Sequence, residues 1–320
     1  MRDGVINAER FAQLRELRAT RPDRIAAALV GRARRDLLRG DGRLFIVAAD
    51  HPARGALAVG CHRTAMADRY DLLERLAIAL SRPGVDGVLG TPDIVDDLVT
   101  LGLLEDKIVV GSMNRGGLHG AAFEMDDRFT GYDVETMVDS GIDVAKTLLR
   151  VNLADAGTAS TLQSTAAVVT QAAHARLPIM LEPFISRWVD GRIVNDLSTD
   201  AVILSIAIAS GLGASSAYTW MKLPVVDDME RVMAATTLPV LLLGGDAGDD
   251  LDDTFAAWEA ALALPGVRGL TVGRTLLYPR DGDVAAAVDA AAALVHGEMR
   301  TGTGEHRADS QTGPITKERV

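Results

Sequence analysis

The chain has 320 residues and a mass of 33.9 kDa, and its 48% hydrophobic and 24% charged residues describe a globular protein with a sizeable core rather than a disordered chain. Its Asp and Glu number 44 against 33 Lys and Arg, a net charge of −11 that argues against sequence-independent binding to nucleic-acid phosphates or to an anionic membrane surface. With Cys61 as its one cysteine the chain has no intrachain disulfide and no cysteine-based zinc cage, which fits a reducing cytoplasm.

The first residues lack the apolar core of a signal peptide and lead into a stretch, 8–38, rich in Arg and Leu at helical spacing. Residues 1–40 are therefore expected to form a helical arm that plugs the bottom of the following domain or packs on a neighbouring subunit. Short apolar runs follow at 44–50, 85–90, 107–113, 143–151, 178–184, 216–222, 239–244 and 267–273. Several are nearly continuous in Val, Ile and Leu, as in strands covered on both faces. Helical patterns lie between them at 68–80, 92–103, 157–175, 198–209, 227–235, 250–263 and 283–297, with Asp93, Ser198 and Asp227 near their starts as caps.

The uncharged stretch 201–221 is about long enough to cross a bilayer, but its Gly- and Ser-rich second half reads as a buried helix, a loop and a strand. About eight βα units thus run on without a break in composition. Eight closes a barrel, so 41–299 is expected to be one (β/α)8 TIM barrel, an α/β fold with an N-terminal helical extension. The end, 300–320, is polar, charged and nearly free of apolar residues, and reads as a flexible tail.

In a barrel, reactive groups stand at the C-terminal ends of the strands and in the loops that follow. The polar residues placed there are Asp50, His51 and Arg54 after strand one, Asn114 and Arg115 after strand three, Lys146 in strand four and Glu182 in strand five. Lys222 ends strand six, Gly244 and Gly245 end strand seven, and Gly273 and Arg274 end strand eight. A lysine inside an apolar strand is costly unless paired or neutral. If Lys146 and Lys222 share the interior, burial and mutual repulsion depress the pKa of one, leaving a free amine able to attack a carbonyl and form a Schiff base.

Glu182 then supplies the proton shuttle that imine formation and C–C cleavage require, and Asp50 pairs with whichever lysine stays charged. The alternative is that both lysines face the helices in ordinary ion pairs. Glycines after the last two strands let backbone amides approach a phosphate, with Arg274 adding a charged contact. Among the histidines only His51, His62 and His119 fall where they are able to meet at the mouth, with Asp50 or Glu124, and no His-x-His or His-x-x-x-His pair sets ligand geometry. No metal or other cofactor is expected, and His51 reads as a substrate hydrogen-bonding group.

These residues together resemble the class I, Schiff-base aldolases, especially the tagatose-bisphosphate and archaeal-type fructose-bisphosphate aldolase group, over about 44–278. The resemblance is carried by Ala49-Asp50-His51-Pro52-Ala53-Arg54-Gly55-Ala56-Leu57, Ala145-Lys146-Thr147-Leu148-Leu149, Leu181-Glu182 and Trp220-Met221-Lys222-Leu223-Pro224-Val225. Gly244-Gly245 and Val272-Gly273-Arg274 are similar to its phosphate site. His51, the extra residues before Arg54-Gly55, the Pro after Glu182 and Leu277-Tyr278-Pro279 depart from the family pattern.

The resemblance implies a carbon–carbon lyase in which Lys222 forms the imine, Glu182 moves protons, and Lys146 and Asp50 orient hydroxyls and tune charge. His51, Arg54, Asn114, Gly244, Gly245, Gly273 and Arg274 would hold a small phosphorylated keto sugar or keto sugar acid, releasing dihydroxyacetone phosphate and an aldehyde. 6-Phospho-5-dehydro-2-deoxygluconate of inositol catabolism is one such substrate. Deoxyribose-phosphate or hexose-bisphosphate cleavage is the enzymatic alternative, and a catalytically silent sugar-phosphate-binding barrel is the non-enzymatic one. Neither nucleic acid nor membrane is an expected partner; a cytoplasmic homo-oligomer is.

Overall fold

The computed structural model describes residues 5–114, 117–245 and 251–297. The tail expected at 300–320 lies outside the described residues, as do Arg115 and Asp250. Nine strands follow in chain order: β1 (Leu44–Ala48), β2 (Gly87–Gly90), β3 (Ile108–Ser112), β4 (Val144–Val151), β5 (Ile179–Val189), β6 (Arg192–Asn195), β7 (Thr219–Pro224), β8 (Val240–Leu243) and β9 (Val267–Val272). All but β6 are parallel neighbours in one ring, β1-β2-β3-β4-β5-β7-β8-β9, closed by the β9–β1 pairing. The chain is an eight-stranded parallel β-barrel with helices between the strands, a (β/α)8 TIM barrel.

The outer layer comprises α3 (Arg69–Ser81), α4 (Pro92–Thr100), α5 (Val134–Ser140), α6 (Gly157–Ala175), α7 (Thr199–Ser210), α8 (Met229–Ala234), α9 (Leu251–Leu262), the short α10 (Arg274–Leu277) and α11 (Val284–His296). The uncharged stretch 201–221 divides into α7, a loop and the start of β7, and no described helix is long and apolar enough to cross a membrane. Ser198 caps α7 through the Ala201 amide. At α8 the cap is Asp228 rather than Asp227: its side chain accepts from the Arg231 amide while its backbone sits at φ +54°, a conformation Asp tolerates. Asp93 lies inside α4, whose cap position is Thr91.

Strand parity divides the apolar residues into two cores. Phe45, Val47, Val88, Val109, Ala145, Leu181, Met221 and Leu242 point outward beneath the helices, while Leu44, Ile46, Leu89, Ile108, Val110, Met180 and Leu241 fill the lower barrel. Each such buried aliphatic side chain contributes roughly 1.5–3 kcal/mol.

The N-terminal arm differs from the single helical stretch expected. It forms α1 (Ala8–Thr20) and α2 (Asp23–Gly31), which lie on the outside of the same chain's barrel: Phe11 meets Tyr70 edge to face, Arg18 pairs with Asp97, and α2 packs on α4 and α5. The irregular segment after Gly31 crosses the barrel floor. There Arg32 and Arg34 grip Asp143 (2.6 and 2.8 Å), Arg35 grips Asp86 (2.5 Å), and Leu37 packs on the lower core.

Strand five runs beyond the expected end at 184. Its extension turns at Asp190 and Gly191, both left-handed (φ +49° and +73°), and pairs antiparallel with β6 as a hairpin.

Candidate active site

The interior parity that places Val144, Met180 and Trp220 in the lower barrel places Lys146, Glu182 and Lys222 one layer higher. Both lysines therefore face the interior, and the outward alternative is excluded. Lys146 is 1% exposed and Lys222 4%. Glu182 lies between them, accepting from Lys146 Nζ at 2.6 Å through Oε2 and from Lys222 Nζ at 2.9 Å through Oε1. Lys146 also donates to Asp50 Oδ2 (3.0 Å), which Ser112 Oγ approaches at 3.3 Å. The chain of contacts Asp50–Lys146–Glu182–Lys222 is buried throughout.

The two ammonium groups are pushed in opposite directions. Burial lowers the Lys222 pKa, and the neighbouring Lys146 charge adds to the fall against the pull of Glu182. Burial also works against Lys146, yet Asp50 and Glu182 outweigh it and the pKa is raised. Burial of Glu182 favours its neutral form, but Lys146 and then Lys222 hold the carboxyl down at about 2. Asp50 is likewise held well below the usual carboxylate range by Lys146, against burial. The partner of Asp50 is thus Lys146, leaving Lys222 with the weaker hold on its proton.

Above this row opens a cavity of about 490 Å³ at the C-terminal end of the barrel. Its walls include His51, Arg54, Glu182, Lys222, Gly244, Gly245, Gly273 and Arg274, while Lys146 and Asp50 lie beneath. Burial, reinforced by the Arg274 and Arg54 charges, pushes the His51 imidazole down to about 3, so the ring is neutral and its contact with Asp50 at 3.8 Å is not an ion pair at neutral pH. A methyl group on Gly273 would stand 2.3 Å from the Ala48 carbonyl oxygen, so β9 approaches β1 at a distance only glycine permits. β9 ends at Val272, and Arg274 opens α10 rather than ending the strand.

Asn114 does not line the cavity. Its amide donates to Leu148 O (2.7 Å) and Asp127 Oδ2 (2.7 Å) and accepts from Leu148 N (2.8 Å), tying the end of β3 to β4. All its strong contacts are thereby taken up in holding the wall. His62 lines a separate cavity beside Tyr278, and among the described residues no group of three His, Cys, Asp or Glu side chains is placed to hold a metal ion.

Sequence reasoning missed Arg150, which lies on the same face of β4 as Lys146 and lines the cavity; period-2 counting from Lys146 finds it. It also missed Asp127, and it named Glu124 only as a partner for histidines at the mouth, whereas the structure pairs Glu124 with Arg150. A shallower groove of about 910 Å³ between α1 and α2 contains none of the buried charges.

The model of the Cgl0159-like family matches residues 42–292. No curated protein sequence matches the chain. The crystal structure of Cgl0159 from Corynebacterium glutamicum is 70% identical and superposes with a TM-score of 0.91, covering 92% of this chain and 100% of that one. An archaeal fructose 1,6-bisphosphate aldolase (20% identity, TM-score 0.60) covers 85% of this chain and 99% of its own. A Schiff-base-forming fructose-1,6-bisphosphate aldolase (22% identity, TM-score 0.59) covers 85% and 100%. The likeness to these two is one of fold alone.

Proposed function

The chain belongs to the Cgl0159-like family, and we propose that it is a Schiff-base aldolase cleaving a phosphorylated keto sugar or keto sugar acid to dihydroxyacetone phosphate and an aldehyde. The observation that carries this reading is the single carboxylate, Glu182, shared by two buried lysines of which only Lys222 opens on the cavity and has a lowered pKa. Lys222 Nζ attacks the substrate C2 carbonyl to give a carbinolamine. Glu182, ionised at rest, first takes the third proton of the Lys222 ammonium, freeing the amine; the carbonyl oxygen gains one proton from the attacking nitrogen and the second from Glu182, and leaves as water to give the iminium.

A base then removes the proton of the C4 hydroxyl, the C3–C4 bond breaks, and its electron pair passes into the iminium as an enamine while the aldehyde departs. Glu182, restored to its ionised form, is the carboxylate placed for that step. Protonation at C3 and hydrolysis release the ketone product. Lys146, kept charged by Asp50 and Glu182 beneath the cavity floor, holds Glu182 ionised and lowers the hold of Lys222 on its proton. The amides about Gly244, Gly245 and Gly273, with Arg274, hold the phosphate. 6-Phospho-5-dehydro-2-deoxygluconate is a substrate of this class, and the setting is a cytoplasmic homo-oligomer.

Borohydride reduction in the presence of dihydroxyacetone phosphate tests the reading. A reduced adduct mapped to Lys222, absent from Lys222→Ala, is expected. An adduct on Lys146 exchanges the two lysine roles. The absence of any adduct with ketose phosphates or dihydroxyacetone phosphate leaves a silent sugar-phosphate-binding barrel.

A further inference from the structure

The cavity carries more positive charge than one phosphate uses. Its lining includes three guanidinium groups, those of Arg54, Arg150 and Arg274, besides the nucleophilic Lys222 and the carboxylate of Glu182, in a chain whose net charge is −11. The arginines stand at different parts of the rim. Arg274 follows β9; Arg150 is on β4, which is four strands away in either direction around the eight-stranded ring. Lys222 on β7 lies on the arc between them. Arg54 stands in the loop after β1, and its carbonyl accepts from the His119 amide (2.9 Å), which joins this loop to the one after β3.

Arg150 is built into the wall. Its Nη1 donates to Glu124 Oε1 at 2.5 Å, and Glu124 in turn accepts from the Gly120 amide at 2.8 Å. Its Nε is buried and has no hydrogen-bond partner among the described residues. The Nε of Arg54 is in the same state, and the Arg54 guanidinium forms no ion pair among the described residues. Two like charges share this side of the cavity: burial lowers the Arg150 pKa, and Arg54 adds to the fall. The nearby carboxyl of Asp127, raised by burial to about 6, is committed to Asn114. A guanidinium in a cavity wall without a counter-ion is costly, and an anion entering the cavity supplies one to Arg54 and a second one to Arg150.

We propose that Arg54 and Arg150 form a second anion subsite, which receives a carboxylate or phosphate on the aldehyde half of the substrate while Arg274 and the glycines hold the phosphate of the ketone half. The inference rests on the aldolase reading and narrows it: the substrate is charged at both ends, and the released aldehyde is an anion. Singly charged substrates such as a deoxyribose phosphate then fill only one subsite.

Condensation with dihydroxyacetone phosphate tests the subsite directly, because the ketone half is fixed and only the aldehyde varies. Two pairs separate the two anions: succinic semialdehyde against butanal, and glyceraldehyde 3-phosphate against glyceraldehyde. In the unmodified chain, kcat/KM for the charged member of one pair exceeds that for the neutral member by about 10- to 100-fold, the worth of a charge-assisted contact. The pair showing the preference identifies the group. Arg54→Met reduces that ratio towards one, as does Arg150→Met combined with Glu124→Gln, which avoids leaving a buried carboxylate unpaired.

If the double variant does not fold, the Arg54 variant, which breaks no ion pair among the described residues, still decides. No preference in either pair, or a preference that survives Arg54→Met, overturns the subsite. So does a KM for dihydroxyacetone phosphate that rises as much as the ratio falls, which places Arg54 on the first phosphate. Failure of borohydride trapping in the unmodified chain is a separate result: it defeats the aldolase reading, and this inference with it.

Discussion

Glu182→Gln keeps the shape of the side chain and removes the one charge that both active-site lysines share. The amide oxygen is able to accept from only one of the two lysines that donated to the carboxylate at 2.6 and 2.9 Å, and its NH2 faces the other. Two effects then separate. Glu182 holds the Lys222 pKa up against burial and the charge of Lys146. Without it that pKa falls further, and the acid limb of imine formation moves to lower pH. The amide is unable to accept and return a proton, so turnover slows by about 10²–10⁴-fold, the usual contribution of one general acid–base group. This corresponds to about 2.7–5.5 kcal/mol of barrier.

The variant is also less stable, since Lys146 then keeps Asp50 as its one carboxylate partner and Lys222 has none; breaking a buried ion pair typically costs about 3–5 kcal/mol. Steady-state release of triose phosphate measures the first loss. End-point borohydride trapping over long incubation, repeated across pH, measures imine formation independently. The expected result is slow turnover with full eventual trapping at Lys222 and an acid limb displaced downward. A kcat within about threefold of the parent, or an unmoved acid limb, refutes the role given to Glu182.

Two further outcomes follow from named contacts. His296 is held up to about 8 by Asp86 and then Asp41, against burial, so the folded state binds its proton more tightly than the unfolded chain, whose imidazole titrates near 6.5. Its contribution to stability is complete below about pH 6.5 and lost as pH rises through about 8; urea midpoints taken from pH 6 to 9 decline more in the parent than in His296→Gln, and equal declines would refute this. A methyl group at position 273 meets the Ala48 carbonyl at 2.3 Å. Gly273→Ala accordingly costs about 1–3 kcal/mol of overpacking in thermal denaturation and raises KM for the phosphorylated substrate by displacing Arg274; unchanged values of both would show that β9 yields freely.

The barrel is legible because each buried strand leaves a run of Val, Ile and Leu, and the reactive row is legible because a charged residue inside such a run has few places to go. Lys146, Glu182 and Lys222 are found by that logic, and strand parity then sets them on one level. Parity also reaches Arg150, two steps beyond Leu148 on the face of Lys146, and Asp190-Gly191 between Val189 and Arg192 is a recognised hairpin signal. Both are readable in the sequence: Arg150 lies within the apolar run 143–151, and the hairpin signal lies beyond the run that ends at 184. Asn114 is different. A short polar residue after a strand reads as a ligand contact, and only the three-dimensional position of Leu148 reveals that its amide extends the β3–β4 pairing. Glu124 and Asp127 sit in a loop without periodicity, so no local signal couples them to Arg150 or Asn114.

The strap across the barrel floor bears on the order in which the chain assembles. Arg35 waits for Asp86, 51 residues downstream, and Arg32 waits for Asp143, 111 residues downstream. During synthesis α1 and α2 emerge long before either carboxylate exists, and closing loops of this length costs conformational entropy that only finished strands repay. The strap is made before the strands it closes, and is thus among the later parts to be fixed. Until β4 is in place the floor stays open, with the lower ends of the first strands bare to water.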